Sequence, residues 1–149
     1  MSGVRIPYNA LVLVGDGTKA LFLRNKGDGQ HPNLVLERLI EQESLPTREQ
    51  GTDRPGRSNA GGSAPLSAFA ETDWHRLDEE RFAREIAQAL YAAAHANRFD
   101  KLVVVAPPRT LGELRKEFHK EVSDRIVAEV DKTLTNRDLG DIERILAKA

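Results

Sequence analysis

The run Lys101-Leu102-Val103-Val104-Val105-Ala106-Pro107-Pro108 limits what this chain can fold into more than any other stretch. A strand with one wet face alternates apolar and polar residues, whereas a continuous apolar run belongs to a strand covered on both faces. The two prolines stop it, because proline has no N–H to give to a sheet ladder. A buried central strand with its carboxyl end at a turn is therefore the first expectation, and everything else has to supply cover for it.

The other elements follow from periodicity. Leu11 to Val14 and Ala20 to Leu23 are short apolar runs separated by Gly15-Asp16-Gly17-Thr18, which is hairpin chemistry. The stretch 33–43 leaves two readings open. Val35, Glu37, Leu39 and Glu41 alternate like a strand, while Leu36, Leu39 and Ile40 suit a helix. From Ser44 to about Leu77 no period survives and glycines and prolines recur, which predicts a long loop over 44–77. Asp78 is placed to cap a helix whose stripe is Phe82, Ile86, Leu90 and Ala93. Thr110 and Glu113 have capping-box spacing for a helix beginning just after the prolines. Ile126, Ala128 and Val130 alternate as in a strand, and Leu139, Ile142, Ile145 and Leu146 share one face of a closing helix. With 33–43 taken as a strand, the order is βββαβαβα, an α/β fold with a mixed five-stranded sheet, an antiparallel meander and two right-handed crossovers. That order is the one of ribonuclease H-like folds.

A chain of 149 residues, 40% hydrophobic and 30% charged, is sized for a single domain over 1–149. Its net charge of -1 announces no nucleic-acid binder in bulk. Without cysteine there is no disulfide, thiol catalysis or thiolate metal site, and without a long apolar run there is no expected membrane span or signal peptide. The expectation is a cytoplasmic protein. Asp16, at the end of the first strand, occupies a plausible metal position, but the central strand ends in Ala-Pro-Pro-Arg and brings no carboxylate to join it. The four histidines lack ligand spacing, and Ser58, Ser63 and Ser67 lack a nucleophile frame. No metal, cofactor or catalytic residue is assigned. Trp74 reads as a hydrophobic anchor between the loop and the first helix. Arg109, Thr110 and Arg115 cluster near a helix N-terminus and form a candidate anion site.

The blocks LVLVGDGTKALFLRN, EQGTDRPGR, KLVVVAPPRTLGELRK and EVDKTLTN, in this order, closely resemble the host attachment protein family, named as proteins required for attachment to host cells. That family in turn is similar to the middle domain of eukaryotic and archaeal class-1 peptide-chain release factors. The resemblance implies that 33–43 is a strand, and that the segment after it corresponds to the Gly-Gly-Gln loop that enters the ribosomal peptidyl-transferase centre. Gly61 and Gly62 stand at the glycine positions, but Ser63 replaces the glutamine that helps place the attacking water. The implied function is a non-catalytic or weakly catalytic ribosome- or transfer-RNA-associated module, without the flanking codon-reading and partner-binding domains. Its contact loop comprises Arg54, Pro55, Gly56, Arg57, Gly61, Gly62 and Ser63. Two alternatives arise from the same resemblance: a factor that binds a protein partner in host attachment, and a peptidyl-tRNA ester hydrolase.

Overall fold

Over residues 4–42 and 64–148, with side chains of the long helix from Arg76 onward, the computed structural model describes one ordered sequence of elements. It runs β1 (Leu11–Gly15), β2 (Lys19–Asn25), β3 (Leu34–Glu41), α1 (Ala64–His95), β4 (Leu102–Ala106), α2 (Pro108–Glu117), α3 (Lys120–Ser123), β5 (Ile126–Asp131) and α4 (Leu139–Lys148). The strands form one sheet in the order β3-β2-β1-β4-β5. β1 pairs antiparallel with β2 and parallel with β4, and β4 pairs parallel with β5. This is the expected mixed five-stranded α/β sheet, with one short helix, α3, added.

The apolar run behaves as its composition demands. All five residues of β4 are buried, and the pleat divides them between two cores. Leu102, Val104 and Ala106 join Leu11, Leu13 and Phe22 beneath Phe82, Ile86 and Leu90 of α1, Leu111 and Leu114 of α2 and Val122 of α3. Val103 and Val105 join Val12, Val14 and Leu23 beneath Ile142 and Leu146 of α4. Both helical stripes read from the sequence therefore point at the sheet, and 33–43 pairs into it as β3.

Three expectations change. α1 begins at Ala64, so 64–77 is helix rather than loop. Pro65 reads as loop punctuation in the sequence, yet in the first turn of a helix its missing N–H has no partner to lose, and no further glycine or proline occurs before His95. Asp78 consequently lies inside α1 and is not its cap. Trp74 lies on the helical backbone; its side chain is outside the described residues, as are residues 44–63. Lastly, Thr110 and Glu113 form no capping box: α2 starts at Pro108, has Pro107 at its N-cap and makes no side-chain cap hydrogen bond. The fixed φ of Pro108 suits a first helical position, which moves the start ahead of Thr110.

α1 ends where Asn97 adopts the left-handed region (φ 57°), with Arg98 N–H bonded to Ala93 and Asn97 N–H to Ala94. That Schellman arrangement turns the chain back toward β4. The other end of β2 is held by Asn25, which is fully buried. Its side-chain NH2 donates to Ile6 O at 2.8 Å and its Oδ1 accepts from Gly27 N–H at 2.9 Å and Asn33 N–H at 2.8 Å. Asn25→Ala strips partners from several buried backbone groups at once, so it is expected to lower unfolding stability by at least about 2 kcal/mol in urea titrations.

Candidate functional site

β3 runs antiparallel to β2, and β2 antiparallel to β1, so β1, β3, β4 and β5 all finish at the same edge of the sheet. In open α/β sheets the carboxyl edge is where ligands bind, since loops gather there. Here Asp16 organises it. Its Oδ1 accepts from Thr18 N–H at 2.7 Å and Lys19 N–H at 2.8 Å, closing the β1–β2 turn. Its Oδ2 accepts from the Thr135 hydroxyl at 2.5 Å, tying that turn to the chain beyond β5. Lys19 Nζ lies 3.4 Å from Asn136 Oδ1. Asp16, Thr18, Lys19, Glu41, Gln42 and Asn136 line an open polar recess of about 370 Å³.

Two further contacts set the height of α1 on this edge. Gln42 N–H donates to Thr18 O at 2.7 Å, and the Gln42 side chain donates to the Asp78 carbonyl at 3.0 Å. Glu79 reaches Arg109 at the start of α2, with Oε1 3.2 Å from Nε. A Cβ at Gly17 would meet Glu79 Cγ at 3.1 Å, so glycine is what lets the hairpin turn sit against α1 there. Residues 78 and 79 thus stand level with the carboxyl edge, and 64–77 lie upstream of it, about 21 Å of helix at 1.5 Å per residue. The segment 43–63 leaves from Gln42 at this edge and re-enters the described chain at Ala64.

The sequence-derived residues fall into two groups. Arg54, Pro55, Gly56, Arg57, Gly61, Gly62 and Ser63 lie outside the described residues, between these two attachment points. Arg109, Thr110 and Arg115 are all on α2, but the two arginines engage different carboxylates. Arg109 holds Glu79, and both Nε (3.0 Å) and Nη2 (2.5 Å) of Arg115 donate to Glu129 on β5. The Glu129 hydrogen bond, then its charge, raise the Arg115 pKa and favour the pair. Gln42, Glu79, Thr135 and Asn136 were not read from the sequence. Thr135 is 119 positions from Asp16, and no local pattern announces such a contact. Among the described residues no group of three or more His, Cys, Asp or Glu side chains is placed to hold a metal ion, and no helix is long and apolar enough to cross a membrane.

The fold is thus a mixed α/β sheet covered by helices on both faces, whose carboxyl edge holds Gln42 and the Asp78–Glu79 part of α1 in place. Residues 9–146 match the model of the Bacterial archaeo-eukaryotic release factor family 12, and the chain belongs to that family. No curated protein matches the sequence. The family match supports the release-factor side of the resemblance and does not extend to host attachment.

Burial pushes the Asp16 carboxyl up, but the Thr135 hydroxyl, the Thr18 and Lys19 amides and the Thr18 hydroxyl outweigh it, and its pKa falls below the usual 3.8. A carboxyl whose pKa is lower folded than unfolded stabilises the fold above its unfolded value and loses that contribution as pH falls through its folded value. Asp16→Ala is therefore expected to cost about 1–2 kcal/mol at neutral pH by chemical denaturation. The gap from the parent chain should narrow in acid, below the ordinary carboxyl value of 3.8.

Proposed function

We propose that the chain is a cytoplasmic, translation-associated module that contacts ribosomal or transfer RNA through Arg54, Pro55, Gly56, Arg57, Gly61, Gly62 and Ser63, and that it does not catalyse peptide release. What supports this reading is one coincidence: a release-factor family match over 9–146, in a chain whose 43–63 segment joins the carboxyl edge of the sheet to the start of a 32-residue helix. Gly56, next to Arg57 and two residues from Arg54, allows close approach of the main chain to a phosphate backbone, and guanidinium groups bind phosphate bidentately. Ser63 lacks the carboxamide of a glutamine, which is the basis for excluding release chemistry. Arg109 and Thr110 stand at the same edge as supporting contacts. Because the exposed Arg109–Glu79 pair contributes no more than about 1 kcal/mol, a phosphate can compete for that guanidinium. Arg115 takes part only on release from Glu129.

The test is co-sedimentation of the full chain with bacterial ribosomes across a salt series. Binding at low salt that weakens as salt rises is expected, with the double variant Arg54→Ala/Arg57→Ala reducing the log–log salt slope by about 1.4, at about 0.7 per lost phosphate contact on single-stranded RNA. Failure to pellet at low salt overturns the proposal. Recovery on a protein partner after nuclease treatment replaces it with the host-attachment interaction reading, and turnover of peptidyl-tRNA replaces it with the hydrolase reading.

A further inference from the structure

β3 is an edge strand, so one side of its backbone has no strand beside it among the described residues. Such edges are commonly guarded by lysine, proline, other charges or a bulge; Leu-Val-Leu-Glu-Arg-Leu-Ile-Glu has no lysine or proline, and its guards are the central Glu37 and Arg38, Glu41 at its end and one bulge. Beside them Val35 (40%), Leu36 (47%) and Leu39 (47%) are exposed, three of the seven large hydrophobic side chains in that condition among the described residues. Leu34 N–H at the start of the strand is taken by Glu143 Oε2 at 2.8 Å, and beyond it the edge carries exposed apolar side chains beside Glu37 and Arg38, which suits another strand.

Its irregularity says which strand. β3 pairs Phe22 with Arg38 and Leu23 with Leu36, leaving Glu37 as an extra residue. Leu36 and Leu39 consequently lie opposite Leu23 and Leu21, on the α4 face. Val35, Arg38 and Ile40 lie opposite Arg24, Phe22 and Ala20, and Arg38 stacks over the Phe22 ring on the α1 face. Glu37 is held on that same face by Arg24, whose Nε and Nη2 each donate to it at 3.1 Å.

We propose that β3 pairs antiparallel with β3 of a second copy, about a two-fold axis between Glu37 and Arg38. Leu36 then faces Leu39 of the second copy, Val35 faces Ile40, and Glu37 faces Arg38, each relation occurring twice. In a regular strand, residues three apart point to opposite sheet faces and Leu36 could not meet Leu39 on one face. The extra residue at Glu37 removes that conflict. Shifting the register by one position places Glu37 against Glu37 or Arg38 against Arg38, and directly opposed like charges are unfavourable. Arg38 has an ion pair with no described residue and stacks over the Phe22 ring, 5.9 Å from its centroid, while the Glu37 side chain is 39% exposed beside Arg24. One strand pair buries less than the roughly 1,200 Å² of a standard interface. The dimer is therefore weak and in equilibrium with monomer.

Because the chain has no cysteine, thiols can report the register directly. Leu36→Cys and Leu39→Cys are prepared as separate full-length variants, at positions already 47% exposed. They are oxidised singly and as an equal mixture. Directly opposed residues have Cα atoms about 4.5–5.5 Å apart, within disulfide reach, while like pairs sit three positions out of register, about 10 Å apart. The mixture is expected to give at least about tenfold more disulfide-linked dimer than either variant alone. Sedimentation of the parent chain should show mass rising with concentration toward twice that of the monomer, and Arg38→Glu, with unchanged circular dichroism, should abolish the rise. A parent chain that stays monomeric at every concentration overturns the proposal, whether or not a foreign strand then binds the edge. Equal cross-linking of like and unlike variants overturns the register.

Discussion

Val103 and Val104 are adjacent in β4, point to opposite faces of the sheet and are both out of water. Burying such side chains contributes about 1.5–3 kcal/mol each, so neither face of β4 can stay wet and a layer is needed on both sides. The layers are unequal. α1, α2 and α3 cover one face, while α4 is the helix packed on the other. Five strands spaced about 4.8 Å apart span roughly 19 Å, more than one helix about 10 Å wide can cover. α4 reaches β3 at its first residue, where Glu143 takes the Leu34 N–H, and Leu36 and Leu39 further along the strand stay exposed. The bulge at Glu37 decides that these two leucines share a face.

The parts of this arrangement that were legible in the sequence are those written in local periodicity. The β4 run, the Asp16 turn, the stripe through Phe82, Ile86 and Leu90, and the closing helix around Ile142 all carry their pattern within a few residues. The start of α1 did not, because Pro65 is compatible with a turn and with the first turn of a helix, and only the glycine- and proline-free residues from Leu66 to His95 separate the two. The capping box failed for a related reason: Thr110 and Glu113 have the right spacing, but Pro108 offers an earlier start. The β3 bulge is invisible to period-two reading, which assigned Leu36 and Leu39 to opposite faces. It shows only in the pairing with Phe22 and Leu23.

At the candidate site, legibility ended at the chain's long-range contacts. Asp16 reads as a turn residue and is one, yet its Oδ2 is committed to Thr135. Gln42 has no motif at all, although it connects the turn at Thr18 to α1 at Asp78. Asp16 and Gln42 thus fix the β1–β2 turn and α1 at the edge from which the proposed contact segment leaves. Contacts such as these, between residues far apart in the chain, carry no local pattern, which is why periodicity did not announce them.

β3 links the two surfaces, since its outer edge is the proposed pairing surface and its last residue, Glu41, precedes the segment 43–63. In an antiparallel pair the two copies of Glu41 lie at opposite ends of the joined sheet. The two departure points at Gln42 are therefore set apart along the joined sheet, one at each end. Any gain in affinity from pairing through β3 depends on a target that engages both copies at that separation. The Asp16 and Glu79 contacts at the carboxyl edge are the same in either state, because neither residue lies on β3, whereas Glu41, which lines the recess, is also the last residue of the strand that pairs.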